Sequence, residues 1–325
     1  MAPEKIRIGI LGCANIAKRS VIPALTELDK IYELVGIASR TNDKADEFAN
    51  SFNCEPIYGY QNLIDRQDIS AIYIPLPTGL HKEWIIKSLN SGKHVYAEKS
   101  IAFNVKDASE MIKLAKQKHL TLMEGYMFIF HAQHKFILDI INKREIGEIR
   151  SFRSSFGFPP MDNDNFRYKK DLGGGVVFDA AGYPLRATHL ILGNDLQVTS
   201  ASLCYSKKTN TELYGNAFLQ NQAGVSAHIS FGFDNFYQCN YEIWGSTGKL
   251  VATKAFTPKP NEKPEIIIEN LNGKRIISAP SDNHFKKAFQ AFAKSIKDSV
   301  LRENLYMDIL RQSLSIERIF QLSKR

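Results

Sequence analysis

The sequence predicts an α/β chain in two parts. A doubly wound parallel sheet spans residues 1–125, and an α+β domain with a large, mainly antiparallel open sheet spans 126–325. Three observations lead there. The chain has 325 residues, long for one core and comfortable for two. Strand-like and helix-like patterns alternate through its first part. Beyond that, short β-rich runs separated by Asn- and Gly-bearing turns take over, as in antiparallel sheets.

In the first part, Ile6 to Leu11 is a β-branched strand followed by a helical stretch toward Leu28. Leu34 to Ser39 reads as a second strand, Lys44 to Phe52 as a helix, Ile69 to Leu76 as a third strand and His81 to Asn90 as a helix. His94 to Ala97, Val105 to His119 and Leu120 to Glu124 continue as strand, helix and strand. In the second part, strands are expected over 148–158, 198–206, 217–220, 225–233, 237–245, 248–255, 265–271 and 275–279. A helix from Val176 to Leu192 interrupts them after Gly173-Gly174-Gly175. After Asp282, Phe285, Ala288, Phe289, Phe292 and Ile296 recur at helical spacing, as do Leu305, Ile309, Leu310, Leu314 and Ile316 to Ile319. Such stripes are core faces, which would close these helices against the domains.

Composition removes several functional classes. Hydrophobic residues at 44% and charged residues at 23% exclude a disordered chain. The apolar run before Gly12 is too short for a signal-peptide core or a membrane span, and no later run is long enough, so a cytoplasmic chain away from membranes is expected. The net charge of +8 comes from Lys and Arg interleaved with acids, without a basic run bearing aromatic platforms. Small anionic ligands therefore fit better than nucleic acid. Cys13, Cys54, Cys204 and Cys239 lack paired spacing and are expected as buried thiols. His131 and His134, three apart on an expected helix, have no neighbouring carboxylate or cysteine pattern, so no metal is expected.

The turn after the first strand is a variant of G-x-G-x-x-G/A: Gly12, Cys13, Ala14, Asn15, Ile16, Ala17. Gly12 permits the tight turn, Ala14 is small enough for backbone approach to a pyrophosphate, and Ala17 lets the helix pack closely on the strand. The pyrophosphate would sit on the helix N-terminus. This is a Rossmann dinucleotide-binding domain. Where an NAD enzyme carries an acid for the ribose hydroxyls, the second strand ends in Ser39, Arg40 and Thr41, with Lys44 following. A hydroxyl and a cation suit a 2′-phosphate, so NADP(H) is the expected cofactor.

Ligands of such sheets bind beyond the carboxyl ends of the strands. One end continues into Pro75, Leu76 and Pro77, a stiff loop suited to the nicotinamide ribose, and then His81. Another ends in Glu98 and Lys99, a cation beside an acid where hydride delivery to a ketone builds negative charge on oxygen. Asp179, Tyr183 and Arg186 follow at spacings of four and three on the helix after the glycines, with His189 near the same face. This polar stripe reads as a cleft wall. A lysine ammonium near Tyr183 would lower its pKa and could relay a proton. In the loop ahead of the glycines, Arg167 could hold a phosphate.

With these residues in place, the chain resembles the Gfo/Idh/MocA oxidoreductases over essentially its whole length. The resemblance rests on the Gly12 turn, Glu98-Lys99, Gly173-Gly174-Gly175 with Asp179, and Gly245-Ser246-Thr247-Gly248. Within the family it is most similar to NADP-dependent nucleotide-sugar 3-ketoreductases of deoxysugar biosynthesis. That similarity adds Ala38-Ser39-Arg40, Ile74-Pro75-Leu76-Pro77, His81 with Glu83-Trp84, and Tyr183-Pro184. It implies Lys99 and Tyr183 as catalytic residues, substrate contacts from Lys99, Asp179 and Tyr183, a nucleotide-sugar substrate, and a homodimer or homotetramer. Three features depart from the family pattern. Ser100 stands where the family has proline, Tyr183 stands where many relatives have histidine, and Ala180-Ala181-Gly182 follow the aspartate where relatives often place glycine earlier. Two other functions compete: an NADP-dependent dehydrogenase of a free sugar or dihydrodiol, and a non-catalytic NADP-binding sensor, which would need neither Lys99 nor Tyr183.

Overall fold

The computed structural model describes residues 4–162 and 164–323. The chain divides into two compact units, Met1–Gly125 with Phe285–Ser313, and Tyr126–His284 with Leu314–Arg325.

The first unit opens with β1 (Ile6–Leu11), then a π-helical turn (Ala17–Val21) running into α1 (Ile22–Thr26), β2 (Tyr32–Ser39) and α2 (Asn42–Phe52). Next come β3 (Glu55–Tyr58), α3 (Tyr60–Asp65), β4 (Ala71–Ile74), α4 (Thr78–Asn90), β5 (His94–Ala97), α5 (Val105–Gln117) and β6 (Leu122–Glu124). The six strands form one parallel sheet in the order β3-β2-β1-β4-β5-β6. β3 and α3 were not among the expected elements, so the strand leading to Pro75 is the fourth rather than the third. β3 is an edge strand of four residues containing Pro56, and only Ile57 of it is buried, which leaves no period to read.

In the second unit, α6 (Ala132–Asn142) precedes β7 (Ile149–Gly157). A π-helical turn (Val177–Ala181) leads into α7 (Gly182–Leu192), followed by β8 (Gln197–Tyr205), β9 (Glu212–Gln220), β10 (Ser226–Gly232) and β11 (Gln238–Gly245). β12 (Gly248–Ala252), β13 (Glu265–Asn270) and β14 (Gly273–Ser278) complete an eight-stranded sheet in the order β14-β13-β12-β11-β7-β10-β9-β8. Its pairings are antiparallel except between β7 and β10, which run parallel. Phe152, Ile229, Tyr241 and Ile243 are buried on one face, while Tyr214, Phe218 and Trp244 are exposed on the other.

α8 (His284–Lys297) and α9 (Ser299–Leu322) end the chain. The expected apolar stripe of α8 packs into the first unit. The Phe289 ring lies 4.8 Å from Tyr96, 5.7 Å from Tyr32 and 5.8 Å from Tyr73, and its carbonyl accepts the Tyr32 hydroxyl at 2.7 Å. These edge and tilted contacts are the arrangement aromatic quadrupoles favour. Leu314 departs from its stripe and is half exposed. Of the four thiols, Cys239 alone is fully buried and the others are half-buried. No helix among the described residues is long and apolar enough to cross a membrane.

Several imidazoles are buried neutral. His134 in α6 sits between the Tyr241 hydroxyl at 2.9 Å and the Ala255 carbonyl at 3.1 Å. Burial lowers His134 to about 3 and His81, His94 and His284 to about 4. In the unfolded chain each would titrate at its ordinary value of 6.5. The unfolded state therefore binds more protons across that window, and stability present above pH 6.5 is lost as pH falls. Urea denaturation at pH 7.5 and 5.0 should show the lower stability at pH 5.0, each ring contributing about 1.4 kcal/mol per pH unit within the window. Equal midpoints at the two pH values would contradict the burial of these rings as neutral groups.

Candidate active site

Because the strands of the first unit are parallel, their carboxyl ends share one edge, and the strand order reverses between β1 and β4. In open parallel sheets the loops at such a reversal diverge, and ligands bind in the crevice between them. Gly12 takes φ of +124° at the end of β1, a conformation costly for any side chain. A Cβ at this position would also lie 2.7 Å from Leu76 Cδ2. Cys13, Ala14 and Ile16 are half-buried around the turn and Asn15 is exposed. Burial raises the Cys13 pKa, and its thiol donates to the Lys44 carbonyl at 3.4 Å.

At the end of β2, the buried Ser39 hydroxyl accepts the Thr41 N–H at 3.3 Å, shaping the loop so that Arg40, Thr41 and Lys44 lie exposed. Burial raises the pKa of the neighbouring Tyr60 phenol, with the Arg40 guanidinium opposing. β4 runs into buried Pro75 and half-buried Leu76 and Pro77.

β5 delivers Glu98 and Lys99, and their backbone is held on both sides. The Glu98 N–H donates to the Ile74 carbonyl at 3.0 Å, and its carboxylate accepts the Tyr73 hydroxyl at 2.7 Å. The Ile101 N–H donates to Glu124 Oε1 at 2.8 Å. Lys99 itself is half-buried, and the Lys99–Ser100 peptide is cis. His81, in the first turn of α4, is completely buried, with Nδ1 2.9 Å from the Ser100 carbonyl and Nε2 2.7 Å from that of Leu76.

In the second unit the polar stripe lies inside the protein. Tyr183, Arg186 and His189 are each less than a tenth exposed, so it is not a solvated helix face. Arg167 Nε donates to Asp179 Oδ2 at 2.6 Å, and the Arg167 carbonyl accepts the Gly175 N–H at 2.8 Å, tying the preceding loop to the start of the helix. The Tyr183 ring is surrounded by Phe156 at 4.6 Å, Tyr126 at 5.7 Å, and Phe128 and Phe256 at 5.8 Å. Tyr126 was not among the residues singled out from sequence. It follows the last strand of the first sheet, where no period marks it. The structure brings its hydroxyl so close to Gly182 that a Cβ there would lie 1.9 Å away.

Comparison with known proteins agrees with this architecture. Residues 6–126 match the GFO/IDH/MocA oxidoreductase family with an NAD-binding Rossmann fold, and residues 134–251 match the GFO/IDH/MocA C-terminal domain. The chain belongs to the GFO/IDH/MocA oxidoreductase family. It is 40% identical, over 90% of its length and 88% of the relative's, to dTDP-3,4-didehydro-2,6-dideoxy-alpha-D-glucose 3-reductase of Saccharopolyspora spinosa. Identity to the protein of that description in Actinomadura kijaniata is 39%, over 97% of this chain and 94% of the relative. Among solved structures, a 3-ketoreductase from Actinomadura kijaniata in complex with NADP and TDP-benzene superposes with a TM-score of 0.95 at 38% identity, covering 98% of both chains. Other structures of that ketoreductase carry a substitution at one lysine or at one tyrosine.

The first unit of this family member fits a dinucleotide. Gly12 keeps the turn free of a side chain, and β2 ends without the acid that would repel a 2′-phosphate.

The Gly182–Tyr126 approach gives a direct test. Gly182→Ala should lower thermal stability and move Tyr183 through its neighbouring ring, and Tyr126→Phe in the same chain should recover part of the loss. Equal Tm values for wild type and Gly182→Ala would rule out the tight approach.

Proposed function

We propose that this chain uses NADPH to reduce the keto group of a nucleotide-linked deoxyhexose at C-3. The observation that supports it is the likeness, through both units, to 3-ketoreductases acting on dTDP-linked dideoxy sugars. The lysine and tyrosine altered in the related ketoreductase have the same separation in sequence as Lys99 and Tyr183.

In this reading Gly12, Cys13, Ala14, Asn15 and Ile16 receive the pyrophosphate, while Ser39, Arg40, Thr41 and Lys44 receive the 2′-phosphate. Pro75, Leu76, Pro77, His81, Glu98 and Lys99 shape the nicotinamide end, and Arg167 serves a phosphate. Bound NADPH supplies hydride to the carbonyl carbon. Negative charge then grows on the carbonyl oxygen, where the Lys99 ammonium stabilises it and Lys99 and Tyr183 together deliver the proton that completes the alcohol. Asp179, oriented by Arg167, binds a sugar hydroxyl. The reading includes a cytoplasmic setting and a homodimer or homotetramer, formed through the sheet face that exposes Tyr214, Phe218 and Trp244.

Lys99→Ala should reduce turnover at least about a hundredfold while leaving NADPH affinity nearly intact. Unchanged turnover removes the lysine from the mechanism. Arg40→Asp should move cofactor preference toward NADH, and an unchanged ratio refutes the 2′-phosphate assignment. Calorimetry on the NADPH-loaded protein should find dTDP binding. Failure of dTDP, UDP, GDP and CDP alike would favour a free-sugar or diol dehydrogenase.

A further inference from the structure

We propose that His81 is a positioning residue that sets the separation between the loop carrying Leu76 and the loop carrying Lys99. This deepens the reading above, in which the first loop shapes the nicotinamide end and the second carries the catalytic ammonium. The ring is wholly buried, and each nitrogen stands against a main-chain carbonyl from a different loop, Leu76 at 2.7 Å and Ser100 at 2.9 Å. Both partners are acceptors that follow strand ends, where the sheet no longer supplies hydrogen bonds. The neutral imidazole carries one N–H, so it donates to one of these two carbonyls and restrains that loop directly, while the buried ring fills the space against the other and limits its approach.

The ring sits on a helix that is tied to its neighbour. It lies in the first turn of α4, and the next residue, Lys82, anchors that helix to α5 through Asp107 and Glu110, each at 2.7 Å. Other anchors near Lys99 start from the strands: the Tyr73 hydroxyl and the Ile74 carbonyl of β4 hold Glu98, and Glu124 of β6 holds the N–H of Ile101. His81 spans the two loops. Through Leu76, whose side chain occupies the space a Cβ at Gly12 would need, the restraint extends to the dinucleotide turn. Hydride transfer requires donor, carbonyl and proton source in register, and a displacement of about 1 Å can cost a hundredfold in rate.

The test is amide hydrogen exchange, followed by mass spectrometry on the full chain, comparing wild type with His81→Leu and His81→Gln. His81→Leu should raise exchange together in peptides covering residues 74–77 and 98–101, with the rest of the first unit unchanged. It should also lower kcat about ten- to a hundredfold while leaving the KM for the nucleotide sugar within about twofold. His81→Gln retains one amide donor and should fall between the two. If His81→Leu does not fold, His81→Gln is judged by the same criteria. Exchange that rises evenly through the unit, or in neither segment, overturns the proposal, as does wild-type kcat in a folded variant. If the wild-type protein reduces no nucleotide-linked ketosugar, the proposed function fails, while the exchange comparison still decides the role of His81.

Discussion

β1 is hydrogen-bonded in parallel on both sides, to β2 through residues Ile6 to Leu11 and to β4 through Ile8 to Ile10. The crossovers leaving β1 and β4 must travel in opposite directions, so their loops separate at the carboxyl edge. The rest of the first unit's chemistry depends on that separation. At that edge Gly12 still lies against Leu76 at the base of the two loops, the end of β2 faces solvent at Arg40, and the Glu98–Lys99 loop leaves from the next strand. The core holds the edge in place from below: Phe289 of α8 fills the space among Tyr32, Tyr73 and Tyr96, joining β2, β4 and β5 through one buried ring.

The second unit achieves order by different means. The Tyr183 ring is buried among aromatic side chains, where a displaced phenol has no solvent to move into. The half-buried Arg167–Asp179 pair adds a charge-assisted restraint, since losing one partner would leave the other charge poorly solvated. Nearby, the buried Glu212 carboxyl lies against Gly175 at the head of the helix, and burial raises its pKa.

Much of the fold was legible because the local signals agreed with the tertiary outcome. The β-branched run at Ile6, the glycine after it, and the acid-free end of β2 each carry their meaning within a few residues. What escaped was either short or long-range. β3 has one buried side chain and a proline. The start of β9 is Glu212, a buried acid that hides the strand's alternation, so the sequence suggested only its last residues. The parallel pairing of β7 with β10 joins segments far apart in the chain. In the candidate site, residue types with obvious chemistry were singled out, whereas the Tyr126–Gly182 approach and the two carbonyl contacts of His81 arise from tertiary packing that no spacing encodes.

We propose that this protein delivers hydride from NADPH to the keto carbon of a nucleotide-linked deoxyhexose. This transfer is tested most directly by incubating the protein with NADPH deuterated at the nicotinamide C-4 and a dTDP-linked 3-keto-deoxyhexose, then locating the deuterium by NMR. Stoichiometric oxidation of NADPH is expected, with deuterium bonded to C-3 of the product. Deuterium at another carbon would contradict the assigned position. No oxidation with any nucleotide-linked ketosugar, alongside NADP-dependent oxidation of a free sugar or diol, would contradict the function itself.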